Sequence, residues 1–144
     1  MKLTDKQIEE IADELEAGMS CFYNLKTGEI KIILDFDNWI YTDEEPWEED
    51  IKELDENWCD YFQFEGMNSR DSFKIMEDFT ENVDDNKTRE RLIKALNKSK
   101  PFSNFKWQID NSGEYRKAWF AFRKARFIDW VKEQINAYNL NKAK

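Results

Sequence analysis

The sequence predicts an α+β fold, with a short antiparallel sheet (an N-terminal hairpin plus a further strand) packed with a helical, aromatic-rich C-terminal half. Three observations carry that prediction. Apolar residues alternate after a Thr27-Gly28 turn and again in CDYFQFE at 59–65, which is the period of a strand. Elsewhere they recur at helical spacing. The order is helix, hairpin, helix, strand, then helices, so that strands and helices are segregated along the chain as α+β proteins arrange them.

Taken in order, Thr4 with Gln7 makes a capping-box start, Ile8, Ile11, Ala12 and Leu15 supply an apolar helix face, and Gly18 closes the segment. In MSCFYNLKTGEIKIILDFD two apolar stretches flank the turn, and Ile30, Ile32, Leu34 and Phe36 alternate with Lys31 and Asp35, so a hairpin is expected. YTDEEPWEEDIKELDENW reads as a helix entrance. Pro46 suits its first position, Glu48, Glu49 and Asp50 suit the positive end of its dipole, and Trp47, Ile51, Leu54 and Trp58 repeat at helical spacing. CDYFQFE supplies a third strand, ended by Gly66. Ser69 is the expected cap of a helix carrying Phe73, Met76, Phe79 and Val83, and Asp85 that of one carrying Leu92, Ile93 and Leu96. Pro101 stops the latter and opens a short helical turn with Phe102, Phe105 and Ile109. Asn111-Ser112-Gly113 then precedes a last helix reaching about Asn139.

At 144 residues, with 40% hydrophobic and 15% aromatic side chains, the chain is expected to form a single domain, 1–144, with a sizeable core. Charge divides it. Residues 1–66 hold 20 acids and 5 bases, whereas the helical half, 67–144, holds 11 acids and 17 bases. A charged N-terminus and the lack of a long apolar run point to a cytoplasmic protein without a membrane partner. Cys21 and Cys59 lack paired metal-ligand spacing and read as buried free thiols.

The chain has no histidine, which removes Ser-His and Cys-His nucleophile pairs and HExxH zinc sites. Asp35 and Asp37 in IILDFDNW have the look of an aspartate-nucleophile phosphatase strand, but the predicted antiparallel hairpin is the wrong setting. As a calcium loop the same stretch fails, because Trp39, Ile40 and Pro46 stand where oxygen ligands and glycine belong. Hard cations could still meet Asp43, Glu44, Glu45, Glu48 and Glu49. No catalytic residue, metal ligand or cofactor is assigned.

KPFSNFKWQIDNSGEYRKAWFAFRKARFIDW, residues 100–130, packs nine aromatic and seven basic residues together. On a helix, Tyr115, Trp119, Phe120, Phe127, Trp130, Val131 and Tyr138 share a broad arc with Arg116, Arg123 and Arg126. Ala118, Ala121 and Ala125 form a small-residue seam opposite, as in a helix packed on two sides. One reading makes the aromatics core, with arginines covering their rims and pairing with acids of the first half. The other makes Lys100, Phe102, Phe105, Lys106, Arg116, Trp119, Phe120 and Arg123 a binding surface, on which bases could stack and phosphates be held.

The run from Ala95 to Ile135, ALNKSKPFSNFKWQIDNSGEYRKAWFAFRKARFIDWVKEQI, resembles the C-terminal signature of a bacterial family called uncharacterised protein family 0158. In that signature an Ala-Leu pair, a Gly/Lys-rich turn, a Phe-x-x-Phe-base motif and a later base-Trp-aromatic-Phe cluster follow one another. Ala95, Leu96, Lys100, Pro101, Phe102, Phe105, Lys106, Arg116, Trp119, Phe120 and Phe122 match them, with Trp130 as the late tryptophan. IMEDFTENV is similar to its central helix. Where many members carry glycines this chain has Asn97, Lys98 and Ser99, so a backbone phosphate cradle is not implied. The resemblance implies a bacterial protein and brings no activity, substrate or catalytic residue. The expected function is thus a non-enzymatic protein-binding or regulatory module whose unknown protein partner meets the acidic segment from Asp43 to Asp60. The alternatives are a nucleic-acid-binding protein using the basic-aromatic helices, disfavoured by the net charge of -9, and a carboxylate- or metal-dependent hydrolase.

Overall fold

The first helix, α1 (Asp5–Glu16), starts where its capping box predicts. Thr4 Oγ1 accepts from the Gln7 N–H at 3.2 Å, and Gln7 Oε1 accepts from the Thr4 N–H at 2.9 Å, which satisfies two of the amides a helix start leaves unpaired. The computed structural model describes residues 1–34 and 47–143. They divide into two compact units, Met1–Gly66 with Phe127–Lys144, and Met67–Arg126.

In the first unit, β1 (Met19–Asn24) is the middle strand of an antiparallel sheet of order β2-β1-β3, with β2 (Ile30–Leu34) and β3 (Tyr61–Phe64) at its sides. The hairpin joining β1 to β2 is set by Asn24, whose buried side-chain oxygen accepts from the N–H groups of Lys26 and Thr27 at 2.9 and 3.0 Å. Gly28 completes the turn at φ 78°, a value side chains resist. Register places Cys21 between Ile32 and Phe64, and Tyr23 between Ile30 and Phe62, all on one face. That face meets α1, where the Cys21 thiol donates to the Ile11 carbonyl. It also meets the end of α6 (Tyr115–Ala143), where Tyr138 lies edge-on to Phe62 at 5.2 Å. Two side chains of α6 fix the end of β3. Trp130 Nε1 donates to the Glu65 carbonyl at 2.7 Å, and Gln134 bonds both the N–H and the carbonyl of Glu65. Burial pushes the Cys21 thiol up to about 12, with Glu14 and Glu10 adding to the effect, so it is an inert core group. Cys59 is exposed, against expectation, because the one-turn helix Trp58–Asp60 directs it outward before β3 begins.

The opposite sheet face departs from simple alternation. Ile33 is buried there, and the Lys31 side chain is only 12% exposed, because α2 (Glu48–Glu56) covers this face. Phe36, Asp35 and Pro46 lie outside the described residues.

The second unit is helical. α3 (Ser69–Glu81) is capped by Asn68 rather than Ser69. Both are good caps, but only Asn68 has an acid three residues on, Asp71, to return the hydrogen bond. α4 (Asn86–Leu96) is capped by Asp85, as its sequence predicts, and α5 (Pro101–Asp110) opens on Pro101 after Lys100 in the left-handed conformation, φ 56°. Ile75, Met76 and Phe79 of α3 are buried, with Leu92, Ala95, Phe105, Ile109 and Trp119 of the other helices.

α6 starts two residues after Gly113 and runs past Asn139 to Ala143. Its buried residues, Trp119, Phe127, Val131 and Ile135, follow a four-residue ridge, whereas Ala118, Ala121 and Ala125 are exposed. The expected two-sided packing is therefore corrected, and the alanines serve as good helix formers on a solvated side. The partners of two arginines also differ from expectation. Arg126 bonds Asp78 at 2.7 Å and Arg116 bonds Asp110 at 3.2 Å, both acids of the second unit rather than of the first 66 residues.

Hydrogen bonding by Arg126, assisted by Lys74 at 3.1 Å, holds the Asp78 carboxyl below the usual aspartate range. A depressed carboxyl stabilises the fold above its unfolded pKa, near 4, and that contribution disappears as pH falls through the folded value. Asp78→Asn is therefore expected to lower stability at neutral pH, by about 1–2 kcal/mol given that the pair is partly exposed, and to narrow the gap from the parent below about pH 4. Urea denaturation of both proteins across this pH range checks it, and an unchanged gap in acid would contradict the pairing.

Candidate functional site

The surface expected from the sequence does not assemble as one patch. Phe105 and Trp119 are buried and lie edge-to-face at 4.9 Å, with Phe79 5.3 Å from Trp119, so these two belong to the core. Phe102 and Phe120 remain exposed, Phe102 near Phe73 at 6.4 Å and Phe120 beneath the Arg116 guanidinium at 5.0 Å. Lys100, Lys106 and Arg116 are exposed and Arg123 is half-buried. Core membership follows the α6 ridge, and a ridge separates Trp119 from its neighbour Phe120.

A better-formed concavity lies in the first unit, between α2 and the sheet. Its cavity of about 370 Å³ is lined by Phe22 and Ile33 of the sheet, Ile51 and Leu54 of α2, Trp58, and the more polar Asp55, Tyr61 and Gln63. The local sequence explains it. Ile51 and Leu54, three residues apart, face the sheet, while Glu48, Glu49, Asp55 and Glu56 are exposed. The helix ends at Glu56, so Trp58 leaves the helical face predicted for it and stands 72% exposed at the groove.

Polar groups fix α2 in place. Lys31 Nζ sits 2.9 Å from Asp50 Oδ1, 3.5 Å from Glu53 Oε2 and 3.6 Å from Glu29 Oε1. The hydrogen bond to Asp50 is the main reason that the Lys31 pKa is raised and its charge retained. Tyr61 Oη donates to Glu53 in a short hydrogen bond, and burial first, then Glu53, raises the phenol above its ordinary range. Asp50 and Glu53 are thus answered from below, while Asp55 lines the groove and Glu48, Glu49 and Glu56 stay exposed on the same helix. Such a site can receive an apolar side chain flanked by cations.

Among the described residues, no three His, Cys, Asp or Glu side chains group to hold a metal ion. Asp35, Asp37, Asp43, Glu44 and Glu45 lie outside the described residues, while Glu48 and Glu49 are exposed on the first turn of α2. No helix among the described residues is long and apolar enough to cross a membrane. Sequence reasoning named the acidic segment but not Phe22, Ile33 or Gln63. Their only signal was the apolar alternation of the strands, which does not reveal a partly uncovered second face.

No curated protein and no solved structure matches the chain. A family model does, across residues 3–143, so the likeness extends beyond the C-terminal motifs to α1, the sheet and the groove. The chain belongs to the uncharacterised protein family UPF0158.

Proposed function

We propose that the protein is a non-enzymatic protein-binding module of the bacterial cytoplasm, and that its groove takes a cationic amphipathic segment of a partner. The observation that carries this is Trp58, largely exposed at a groove whose floor is apolar and whose lining includes Asp55, on a helix that also exposes Glu48, Glu49 and Glu56. Tryptophan is among the residues enriched at binding hot spots. Charge supports the same occupant. The first unit holds 22 acidic and 8 basic residues, a net of -14, and attracts a basic segment while rejecting an acidic one.

A designed Leu/Lys amphipathic helix, titrated by calorimetry, is expected to bind and to weaken as salt is raised. The same pattern written with Glu in place of Lys is expected not to bind. Trp58→Ala, at an exposed position that leaves the fold intact by circular dichroism, is expected to cost at least tenfold in affinity. Equal binding of the two peptides, or of parent and variant, would overturn the reading.

A further inference from the structure

The second unit has the opposite balance, 14 basic and 9 acidic residues for a net of +5. Several of its cations have partners, Lys74 and Arg126 on Asp78 and Arg116 on Asp110. Those of α4 are differently placed. Lys87, Arg91 and Lys94 follow at intervals of four and three residues, which puts them within roughly 60° of one another around the helix and along about 10 Å of its length. Lys98 follows just beyond the last turn, its N–H bonded to the Ala95 carbonyl. All four are exposed, and none forms an ion pair among the described residues.

The acids nearby do not cancel the row. Asp85 lies close enough to Lys87 and Arg91 to feel them, but its carboxylate is taken up by the Thr88 N–H and hydroxyl at 3.0 and 2.7 Å. Glu90 flanks the row and Asp84 precedes it, and neither is paired with it. A solvated helix face ordinarily alternates the sign of its charges. This one presents three cations in line, with Lys98 just past its end.

From this arrangement we infer that α4 binds single-stranded nucleic acid along its phosphate backbone through Lys87, Arg91, Lys94 and Lys98. A linear row suits a linear polyanion, and a flexible single strand can follow a straight helix. An anionic lipid surface fits less well, because an interfacial helix needs an apolar face beside its cations. Here the exposed apolar residue of α4, Ile93, points away from the row by more than 90°. The inference is independent of the groove, since it uses other residues, another unit and a partner of opposite charge.

Binding of a labelled oligo(dT) and an oligo(U), measured by fluorescence anisotropy between about 0.05 and 0.2 M salt, tests it. Four phosphates neutralised predict a slope of log K against log salt near -3, or about a 50-fold loss across that range. The protein would then bind weakly at physiological salt. Lys94→Gln with Lys98→Gln is expected to bring the slope near -1.4, about a sevenfold loss, and Lys87→Gln with Arg91→Gln, an independent pair, should do the same. Circular dichroism confirms that each pair is folded. No binding at the low-salt end, a parental slope in both variants, or binding to anionic vesicles without binding to either oligonucleotide would overturn the assignment.

Discussion

Trp119→Ala is expected to destabilise the protein by about 3–5 kcal/mol, the usual cost of truncating a core aromatic. Only 8% of Trp119 is exposed, and its ring meets Phe79 and Phe105 edge-to-face. The substitution removes both contacts and leaves a cavity among α3, α5 and α6, whose backbones cannot all close on it. A loss of this size is comparable to the whole stability of many domains, so the variant could be unfolded at room temperature. Urea denaturation decides the matter. A midpoint equal to the parent's would show that Trp119 belongs to an exposed surface after all, and Trp119→Phe, which keeps a ring in place, is expected to recover much of the loss.

Phe64→Ala is the equivalent experiment in the first unit, with an expected cost again of about 3–5 kcal/mol. Phe64 is 1% exposed, pairs with Cys21 in register, and lies edge-on to Phe62 at 5.0 Å. Its removal weakens a three-stranded sheet at the point where α1 and the end of α6 cover it. Phe64→Leu is expected to cost far less, which separates lost volume from lost ring contact. The pair of variants also tests the single-domain expectation. α6 gives Trp119 to one unit and Val131 and Ile135 to the other, so each variant is expected to lower one common transition. Two transitions, each moved by one variant only, would mean that the units unfold separately.

Short-range chemistry made much of the fold legible. The Thr4-Gln7 capping box, the Asp85 cap and the Pro101 start each act within one turn of helix, and each appears where its residues stand. The error at Ser69 was also local, since it weighed the cap without the reciprocal acid at Asp71. The candidate site was legible only in part. Its acidity is written in EEDIKELDE, but its apolar floor depends on Phe22 and Ile33 lying opposite Ile51 and Leu54, residues brought together only by strand pairing and the placement of α2.

Sequence alone thus determined the order of helices and strands and several of their starts, how the chain divides by charge, and that no histidine chemistry operates in it. The tertiary structure decided depth. Trp119 and Phe120 are neighbours of similar hydrophobicity on one helical arc, yet the first is core and the second 42% exposed. Phe105 and Phe102 divide in the same way on α5, and Lys31 exchanges solvent for the carboxylates of α2. Periodicity fixes the direction in which a side chain leaves its helix or strand, to within tens of degrees. Burial depends on whether another element stands in that direction, and that is settled by contacts between residues far apart in the chain.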